Sequence, residues 1–272
     1  MQTLIIGANG NLGKAVTKQL SAKKQIKAAT RSQDVHRNIP NVENVVFDFE
    51  KPETYKNAIE NVDSVFIQAP PLDAQAYQKL SPFIEYLGEN GIKRVVFNSA
   101  WGVDHNEDAP LRKIERKLMN EGFDYTFTRP NFFLENFTSG FAAAPLNNDK
   151  VIVHNAGEAK LAFVSVEDIA SVVVESFIDE NHIGKGYNLS GKEAISHQDV
   201  ANFFTQKMGE NIQNVSLSAD QMKAGAMESG LPESEADYLV MLYNIAAEGH
   251  MAHLSNDIYS VLGREPKSIN EI

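Results

Sequence analysis

A glycine-rich turn close to the start of the chain is the sequence feature that most clearly suggests chemistry. The segment GANGNLG contains Gly7, Gly10 and Gly13, and it lies between a strand-like run, 3–7, and an amphipathic helical segment, 11–21. In such a unit, one glycine permits the sharp turn, another lets the backbone approach a pyrophosphate, and the third lets helix and strand pack closely. The N–H groups of the helix N-terminus would bind the anion. The spacing is one residue wider than G-x-G-x-x-G, and although a purely structural turn is the alternative, the context predicts dinucleotide binding.

A basic residue follows the second strand-like run. Arg31 comes directly after IKAAT (26–30). NAD sites generally place Asp or Glu about 20 residues beyond the glycine turn, on the ribose 2′-hydroxyl, whereas Arg accommodates a 2′-phosphate. Asp34 comes several residues later and is better interpreted as part of the first turn of a helix. We therefore expect NADP(H) in preference to NAD(H), the alternative being that Arg31 is a solvated surface charge.

The first half of the chain alternates short apolar runs with amphipathic segments. The strand-like runs are β-branched and aromatic and comprise 3–7, 26–30, 42–49, 63–69, 93–100 and 124–130. Runs without polar alternation are typical of strands buried on both faces. A repeated strand–helix order indicates βαβ units and a parallel sheet. The predicted fold class is α/β, a Rossmann-type doubly wound parallel sheet.

The pattern changes after about residue 135. Short strands are predicted at 151–156, 161–165 and 187–190, and helices at 167–179, 197–208, 219–229, 234–248 and 256–262. Two of these helices begin with apparent capping boxes, Ser165 with Asp168 and Ser196 with Asp199. We predict a nucleotide-binding domain at 1–150 and a smaller, mostly helical lobe at 151–272, with the chain crossing back to the sheet near 161–190.

Composition excludes several classes of function. Lys+Arg 25 against Asp+Glu 36 gives a net charge of −11, which opposes tight binding to a nucleic-acid backbone. The absence of cysteine excludes disulfides, thiolate nucleophiles and cysteine-ligated metals. No run of 18 apolar residues and no basic leader is present, so we expect a cytoplasmic protein without a membrane span or signal peptide. The histidines lack metal-ligand spacing, and we expect no metal.

Several segments together resemble a known family. They are GANGNLG, TRS after the second strand, FNSAWG, TFTRPNFFLENF, FVSVEDIA, YNLSG and LGREPKS. Over essentially its whole length the chain resembles the NmrA-like branch of atypical short-chain dehydrogenases/reductases, which includes bacterial NAD(P)H:quinone oxidoreductases and triphenylmethane-dye reductases. The resemblance implies an NADPH-binding Rossmann domain with substrate in the cleft beside a smaller lobe. It also implies a functional division, because some members are reductases and others are redox-sensing regulators that bind the nucleotide without turnover.

The resemblance implies cofactor contacts at the ends of the predicted strands. They are Gly7, Asn9, Gly10, Asn11, Leu12 and Gly13 at the turn, Arg31 at the 2′-phosphate, Asp48 and Phe49 near the adenine, Gln68, Ala69 and Pro70 at the ribose, and Asn98, Ser99, Pro130 and Asn131 near the nicotinamide. These positions agree with the rule that ligands bind outside the carboxyl ends of parallel strands.

The usual proton relay of short-chain reductases is missing. None of the eight tyrosines has Lys four residues later. Several relatives keep Lys or His four residues before a helix glutamate, here Glu115, but that position is Leu111. The missing relay argues against aliphatic carbonyl reduction and against a sugar-nucleotide epimerase. Ser99 is the candidate catalytic hydroxyl, the alternative being a hydroxyl that caps the strand end. For Glu115, a helix-face salt bridge with Arg112 or a lysine is favoured over substrate orientation.

Aromatic residues are dense around the expected nicotinamide end. They are Trp101, Phe132, Phe133, Phe137 and Phe141, which either form a core or line the site of a flat aromatic substrate. His105 and His154 are interpreted as solvent-facing, and Asp168 as a helix-capping residue.

Two functions of different class follow. The first is NADPH-dependent reduction of quinones or similar flat conjugated electrophiles by direct hydride transfer, without a Tyr/Lys relay. The alternative is a non-catalytic NADP(H)-binding redox sensor that acts on a protein partner. A homodimer is left open in either case.

Replacement of Arg31 tests the cofactor assignment. Arg31→Ala should weaken NADPH binding by about 1.5–3 kcal/mol, the range for a hydrogen bond to a charged group. NADH binding should change little, because NADH carries no 2′-phosphate. Titration of both nucleotides measures the difference, and equal losses for the two would contradict the assignment.

Overall fold

The computed structural model describes residues 1–31, 39–140 and 142–272. Within these residues, seven strands form one sheet in the order β3-β2-β1-β4-β5-β6-β9, and every neighbouring pair is parallel. Their bounds are β1 Gln2–Ile6, β2 Ile26–Thr30, β3 Val42–Val46, β4 Val62–Gln68, β5 Arg94–Asn98, β6 Asp124–Pro130 and β9 Lys185–Leu189. The predicted doubly wound α/β fold is confirmed.

Helices cover both faces of this sheet. The helices are α1 Asn11–Ser21, α2 Tyr55–Ile59, α3 Ala76–Glu89, α4 Pro110–Asn120, α5 Ala143–Asp149, α6 Val166–Ile178, α7 His197–Met208, α8 Ala219–Glu228, α9 Glu233–Ala247 and α10 Asp257–Leu262. Successive strand residues face opposite sides. Leu4 and Ile6 therefore pack with α2, α3 and α4, whereas Ile5 packs with α1, α6 and α10. The sheet is buried on both sides, as its uninterrupted apolar runs predict.

A second group of elements forms its own core beside the sheet. β7 Val151–His154 pairs in parallel with β11 Gln213–Ser216, and β8 Lys160–Leu161 pairs with β10 Ile195–Ser196. Their core is aromatic and aliphatic and includes Leu134, Phe137, Phe163, Phe204, Leu239 and Tyr243. α6 and β9 belong instead to the sheet domain, so the chain returns to it after residue 150. The division at residue 150 stays a prediction.

One of the two predicted capping boxes is confirmed and the other is wrong. Ser196 and Asp199 form the reciprocal box that starts α7. At α6, Ser165 accepts a hydrogen bond from the Glu167 N–H only. There the carboxylate of Glu135 accepts the N–H of Val166 at 2.9 Å. A residue from a distant segment thus satisfies the helix start in place of the local box.

Asp168 has a different role from the predicted cap. It is fully buried, and its carboxylate accepts the Lys267 N–H at 2.7 Å and pairs with Arg264 at 2.7 Å. Asp168 therefore fastens the C-terminal segment to the first turn of α6. Across residues 1–31, 39–140 and 142–272, no helix combines the length and apolar composition that crossing a bilayer requires.

Two histidines are stacked inside the second core. The imidazoles of His154 and His197 lie 3.8 Å apart at 11°, with 0% and 1% of these residues exposed. His154 Nδ1 accepts the Ala156 N–H, so the protonated Nε2 donates to Asn214 Oδ1 at 2.8 Å. The solvent-facing interpretation of His154 is wrong, because β7 is covered by α7. His105 is exposed, as expected.

Burial makes the stability of this core pH-dependent. Burial, with a smaller contribution from His154, lowers the pKa of His197 to about 3. The unfolded imidazole, with a pKa of about 6.5, binds a proton that the folded one does not, so stability falls by about 1.4 kcal/mol per pH unit as pH drops from about 6 to 4. His197→Phe keeps an aromatic ring and should remove that slope in urea unfolding, whereas His105→Gln should not. An unchanged slope in His197→Phe would contradict this account.

Candidate functional site

The carboxyl ends of the parallel strands all lie along one edge of the sheet, and the direction in which strands are added changes between β1 and β4. β1 has β2 on one side and β4 on the other, so successive crossovers leave it in opposite directions. This switch point creates a crevice at the carboxyl edge, which is where open α/β sheets bind ligands. The predicted site residues that follow β1, β2, β3, β4, β5 and β6 are therefore all at one edge.

The glycine turn after β1 forms a cradle made of backbone. Gly7 has φ +75°, a conformation that favours glycine. A Cβ built on Gly13 would lie 2.0 Å from the Gly7 carbonyl oxygen, so no other residue fits without moving the turn. Gly10 occupies the N-cap of α1, and the first turn of that helix contains no acidic residue. The exposed N–H groups at this end are thus available to an anion.

The remaining residues of the turn differ in exposure. Asn9 is exposed and Asn11 half-buried, whereas Leu12 is fully buried beneath the turn. Leu12 can therefore contribute only its backbone to a ligand, while the two asparagine side chains remain accessible.

The adenine end of the predicted site lies beyond β2 and β3. Arg31 is exposed directly after β2. Asp48 accepts the Glu50 N–H at 3.1 Å, which shapes the turn after β3. Phe49 packs edge-on against Phe47 and is half-buried. Asp34 lies outside the described residues.

Gln68 lies beside the glycine turn. A Cβ built on Gly7 would be 3.7 Å from Gln68 Cβ. Gln68 Oε1 is buried and lacks a hydrogen-bond partner within the part of the chain that the structure describes. Ala69 and Pro70 continue from β4 along the same edge, with Pro70 exposed.

Ser99 carries a second buried polar atom without a partner. Its main-chain N–H donates to the Thr128 carbonyl at 2.8 Å, and Thr128 Oγ1 donates to Asn98 Oδ1 at 3.0 Å. Ser99 is 4% exposed, and its Oγ has no partner among the described residues. The hydroxyl does not cap the backbone in this structure.

Two aromatic side chains lie at the β5–β6 end of the edge. The Trp101 N–H donates to the Pro130 carbonyl at 2.9 Å, which continues the β5–β6 ladder past the strands. Trp101 and Phe132 are half-buried and both pack against the second core, with Phe132 5.4 Å from Tyr243. Asn131 is buried, and its side-chain amide donates to the Met251 carbonyl at 3.0 Å.

The other predicted aromatic residues lie elsewhere. Phe133 packs with the α1 and α6 side of the sheet and bridges to Val164. Phe137 is 2% exposed and contacts Phe163 and Phe204 inside the second core. The structure thus places Trp101 and Phe132 against the outside of the second core, Phe137 inside that core, and Phe133 on the α1 and α6 side of the sheet. Phe141 lies outside the described residues.

Glu115 is buried in an ion-pair cluster. It is 0% exposed and accepts Arg112 Nη1 at 2.7 Å, so the predicted salt bridge is confirmed. A second arginine, Arg129 of β6, was missed. It donates to both carboxylate oxygens of Glu115 at 2.9 Å. The signal in the sequence was the one basic residue of this strand, near its carboxyl end.

These features fit a dinucleotide. A backbone cradle at the helix N-terminus suits a pyrophosphate. Farther along the edge, the unpartnered Gln68 Oε1 and Ser99 Oγ are buried polar atoms of the kind that a ligand satisfies. Both atoms and the cradle are on one edge, as an extended ligand requires.

Comparison with known proteins places the chain in context. A model of the NmrA-like family matches residues 2–261. Prestalk A differentiation protein A of Dictyostelium discoideum is 28% identical over 100% of this chain and 91% of its own length. An NAD(P)H azoreductase of Xenophilus azovorans is 26% identical over 98% and 95%. Among solved structures, the chain is similar to the NADPH-dependent quinone oxidoreductase QOR2 from Escherichia coli complexed with NADPH, with a TM-score of 0.85. The match is 22% identical and covers 100% of this chain and 98% of that one, and it shows a likeness in fold.

The close approach of Gly13 to the Gly7 carbonyl predicts that one added methyl group at position 13 weakens NADPH binding. Gly13→Ala forces the turn to shift, and we expect NADPH affinity to fall by more than about tenfold, or 1.4 kcal/mol. Gly225→Ala in α8 is the control, because a Cβ there meets nothing within 4 Å. That control should bind NADPH normally and unfold at slightly higher temperature. Calorimetric titration with NADPH measures the affinity of both variants. Normal binding by Gly13→Ala would contradict the placement of the pyrophosphate at the glycine turn.

Proposed function

Because the chain belongs to the NmrA-like family, we propose that it is an NADPH-dependent reductase of quinones or similar flat conjugated electrophiles. The observation that carries this proposal is at the carboxyl ends of β5 and β6, where the buried Ser99 hydroxyl lacks a partner among the described residues and the aromatic residues Trp101 and Phe132 follow, while no tyrosine has Lys four residues later. The names of the azoreductase and of the quinone oxidoreductase support the same class of reaction and acceptor.

The residues at this edge would hold the cofactor. The N-terminus of α1 at the glycine turn would hold the pyrophosphate, and Arg31 would bind the 2′-phosphate. Asp48 and Phe49 would flank the adenine, and Gln68, Ala69 and Pro70 its ribose. Asn98, Ser99, Pro130 and Asn131 would hold the nicotinamide, and Asn131 would contribute mainly by fixing the backbone, since its side chain is already bonded to Met251.

Trp101 and Phe132 bind the flat substrate against the nicotinamide end. Bound NADPH supplies a hydride. Ser99 Oγ, which has no other partner in the described chain, donates a hydrogen bond to the substrate oxygen as negative charge develops there. Phe133 and Phe137 contribute only by packing behind this surface, and residues 151–272, apart from α6, β9 and α10, supply the opposite side of the cleft.

The missing relay selects the acceptor. Hydride addition to a quinone leaves a phenolate-like anion whose conjugate acid has a pKa of about 10, against about 15.7 for water as a guide to an alkoxide. The quinone product therefore takes its proton from solvent without a protein acid. Position 111 offers no acid, since Leu111 packs against the sheet core. The neighbouring carboxylate of Glu115 is already bonded to two arginines.

An NADPH-oxidation screen with quinones, azo dyes, aldehydes and simple aliphatic ketones tests the proposal. We expect turnover with at least one quinone or dye and none with the aliphatic ketones. The assay without protein gives the background rate, and Gly13→Ala, whose NADPH affinity should be more than about tenfold lower, should need correspondingly more NADPH to reach the same rate. Reduction of an aliphatic ketone would contradict the argument from the missing relay. Tight NADPH binding with no acceptor turned over would contradict catalysis and favour the redox-sensor alternative.

A further inference from the structure

The segment that carries Trp101 is held by charges at two points. After β5 the chain turns at Gly102, with φ +76°, and forms the 3-10 helix Val103–His105. Asp104 of this helix accepts Arg129 Nη1 at 2.8 Å. Three residues later, Glu107 accepts two hydrogen bonds from Arg112, at 3.0 and 3.1 Å. Both arginines also bind Glu115, so the segment is tied to one buried cluster.

Arg129 and Pro130, which are adjacent in β6, hold the two ends of the segment 101–104. Pro130 accepts the Trp101 N–H, and Arg129 holds the Asp104 side chain three residues further on. β6 therefore positions the indole-bearing residue through main chain on one side and through charge on the other. Gly102 lies between these two attachments, where the turn requires a left-handed backbone.

The Arg129 guanidinium is closely surrounded by β9 and by the Phe127 ring. A Cβ built on Gly186 of β9 would lie 3.1 Å from Arg129 Cζ, so a side chain there would press directly on the guanidinium. Arg129 also lies over the Phe127 ring, with Cζ 5.9 Å from its centroid. The arginine is thus restrained on three sides and presents a fixed partner to Asp104.

Asp104 is not needed to neutralise the buried glutamate. Glu115 already receives Arg112 and both nitrogens of the Arg129 fork. Asp104 bonds through Oδ2 alone, and its Oδ1 is buried without a partner within the described residues. Its pairing therefore restrains the segment 101–105 rather than completing the core. A buried ion pair of this kind adds little to stability, but it can specify one arrangement.

We propose that Asp104 is a positioning residue for the substrate site, because its ion pair with Arg129 sets the orientation of Trp101. This inference rests on the proposed function for the identity of the substrate. The orientation of the indole is a property of the free protein and can be measured without any substrate.

Asp104→Asn removes the charge with little change in shape. Trp101 is the chain's only tryptophan, so intrinsic fluorescence reports on this residue alone. We expect a shifted emission maximum, at least twofold greater quenching by acrylamide, and altered energy transfer to bound NADPH. The dissociation constant for NADPH should stay within twofold of the unmodified protein, because Asp104 is not among the cofactor residues. KM for the quinone should rise at least fivefold with kcat changed less.

Asp108→Asn is the matched control. Asp108 lies four residues after Asp104, in the same connection between β5 and α4, its side chain is 98% exposed, and its ion pair with Lys113 is 3.8 Å long. It should leave every readout unchanged, and Asp104→Glu should restore part of the KM. Thermal unfolding verifies that each variant folds. Should Asp104→Asn destabilise the protein, Asp104→Glu still tests the geometry, since a longer carboxylate must shift the Trp101 emission.

The outcomes separate this inference from the proposed function. If no acceptor is reduced by the unmodified protein, the proposed function fails, while the fluorescence comparison still decides the role of Asp104. If quinones are reduced and Asp104→Asn matches Asp108→Asn in emission, quenching and KM, the positioning role is overturned. An equal loss of NADPH binding and quinone turnover would also overturn it, because that result indicates general damage to the edge.

Discussion

The approach of the α1 backbone to the carbonyl oxygen of Gly7 is the constraint on which the site depends. A Cβ at Gly13 would lie 2.0 Å from that oxygen, so the helix can start there only because the residue is glycine. This contact directs the N-terminus of α1 at the carboxyl edge of the sheet. The ends of β4, β5 and β6 then extend the same edge through parallel pairing alone. The proposed dinucleotide site thus depends on one close approach and one sheet topology.

The second core completes the site because a few long-range bonds hold it on that edge. Asn131, directly after β6, and Ala162 both donate to the Met251 carbonyl, at 3.0 and 2.8 Å. The Glu135 carboxylate accepts the first N–H of α6. This bond attaches the segment that follows β6 to α6, which packs on the same face of the sheet as α1. Trp101 and Phe132 both pack against this second core, so these long-range bonds also fix where the two rings lie relative to the sheet.

The buried charged residues of α4 and β6 are paired with one another inside the protein. Glu115, the carboxylate nearest to the usual relay position, is neutralised by Arg112 and Arg129. Leu111 supplies no acid. Of the groups that we propose for the reaction site, Ser99 supplies a neutral hydroxyl and Trp101 and Phe132 supply uncharged rings, which suit an acceptor whose reduced form needs no proton from the protein. The arginines that neutralise Glu115 also hold the segment after Trp101, so positioning and neutralisation share one cluster.

The sequence by itself determined what depends on neighbours along the chain. The periodicity predicted α1 at 11–21, β2 at 26–30 and α7 at 197–208, and the structure has these bounds. The Ser196–Asp199 box is confirmed because its bonds span only three residues. Only the tertiary structure decided that Glu135 caps α6, that His154 is buried against His197, and that Phe137 is buried in a core. The reason is physical: a capping bond or an apolar face is fixed within one or two turns of chain, whereas these contacts join segments dozens of residues apart and exist only once the two cores have packed.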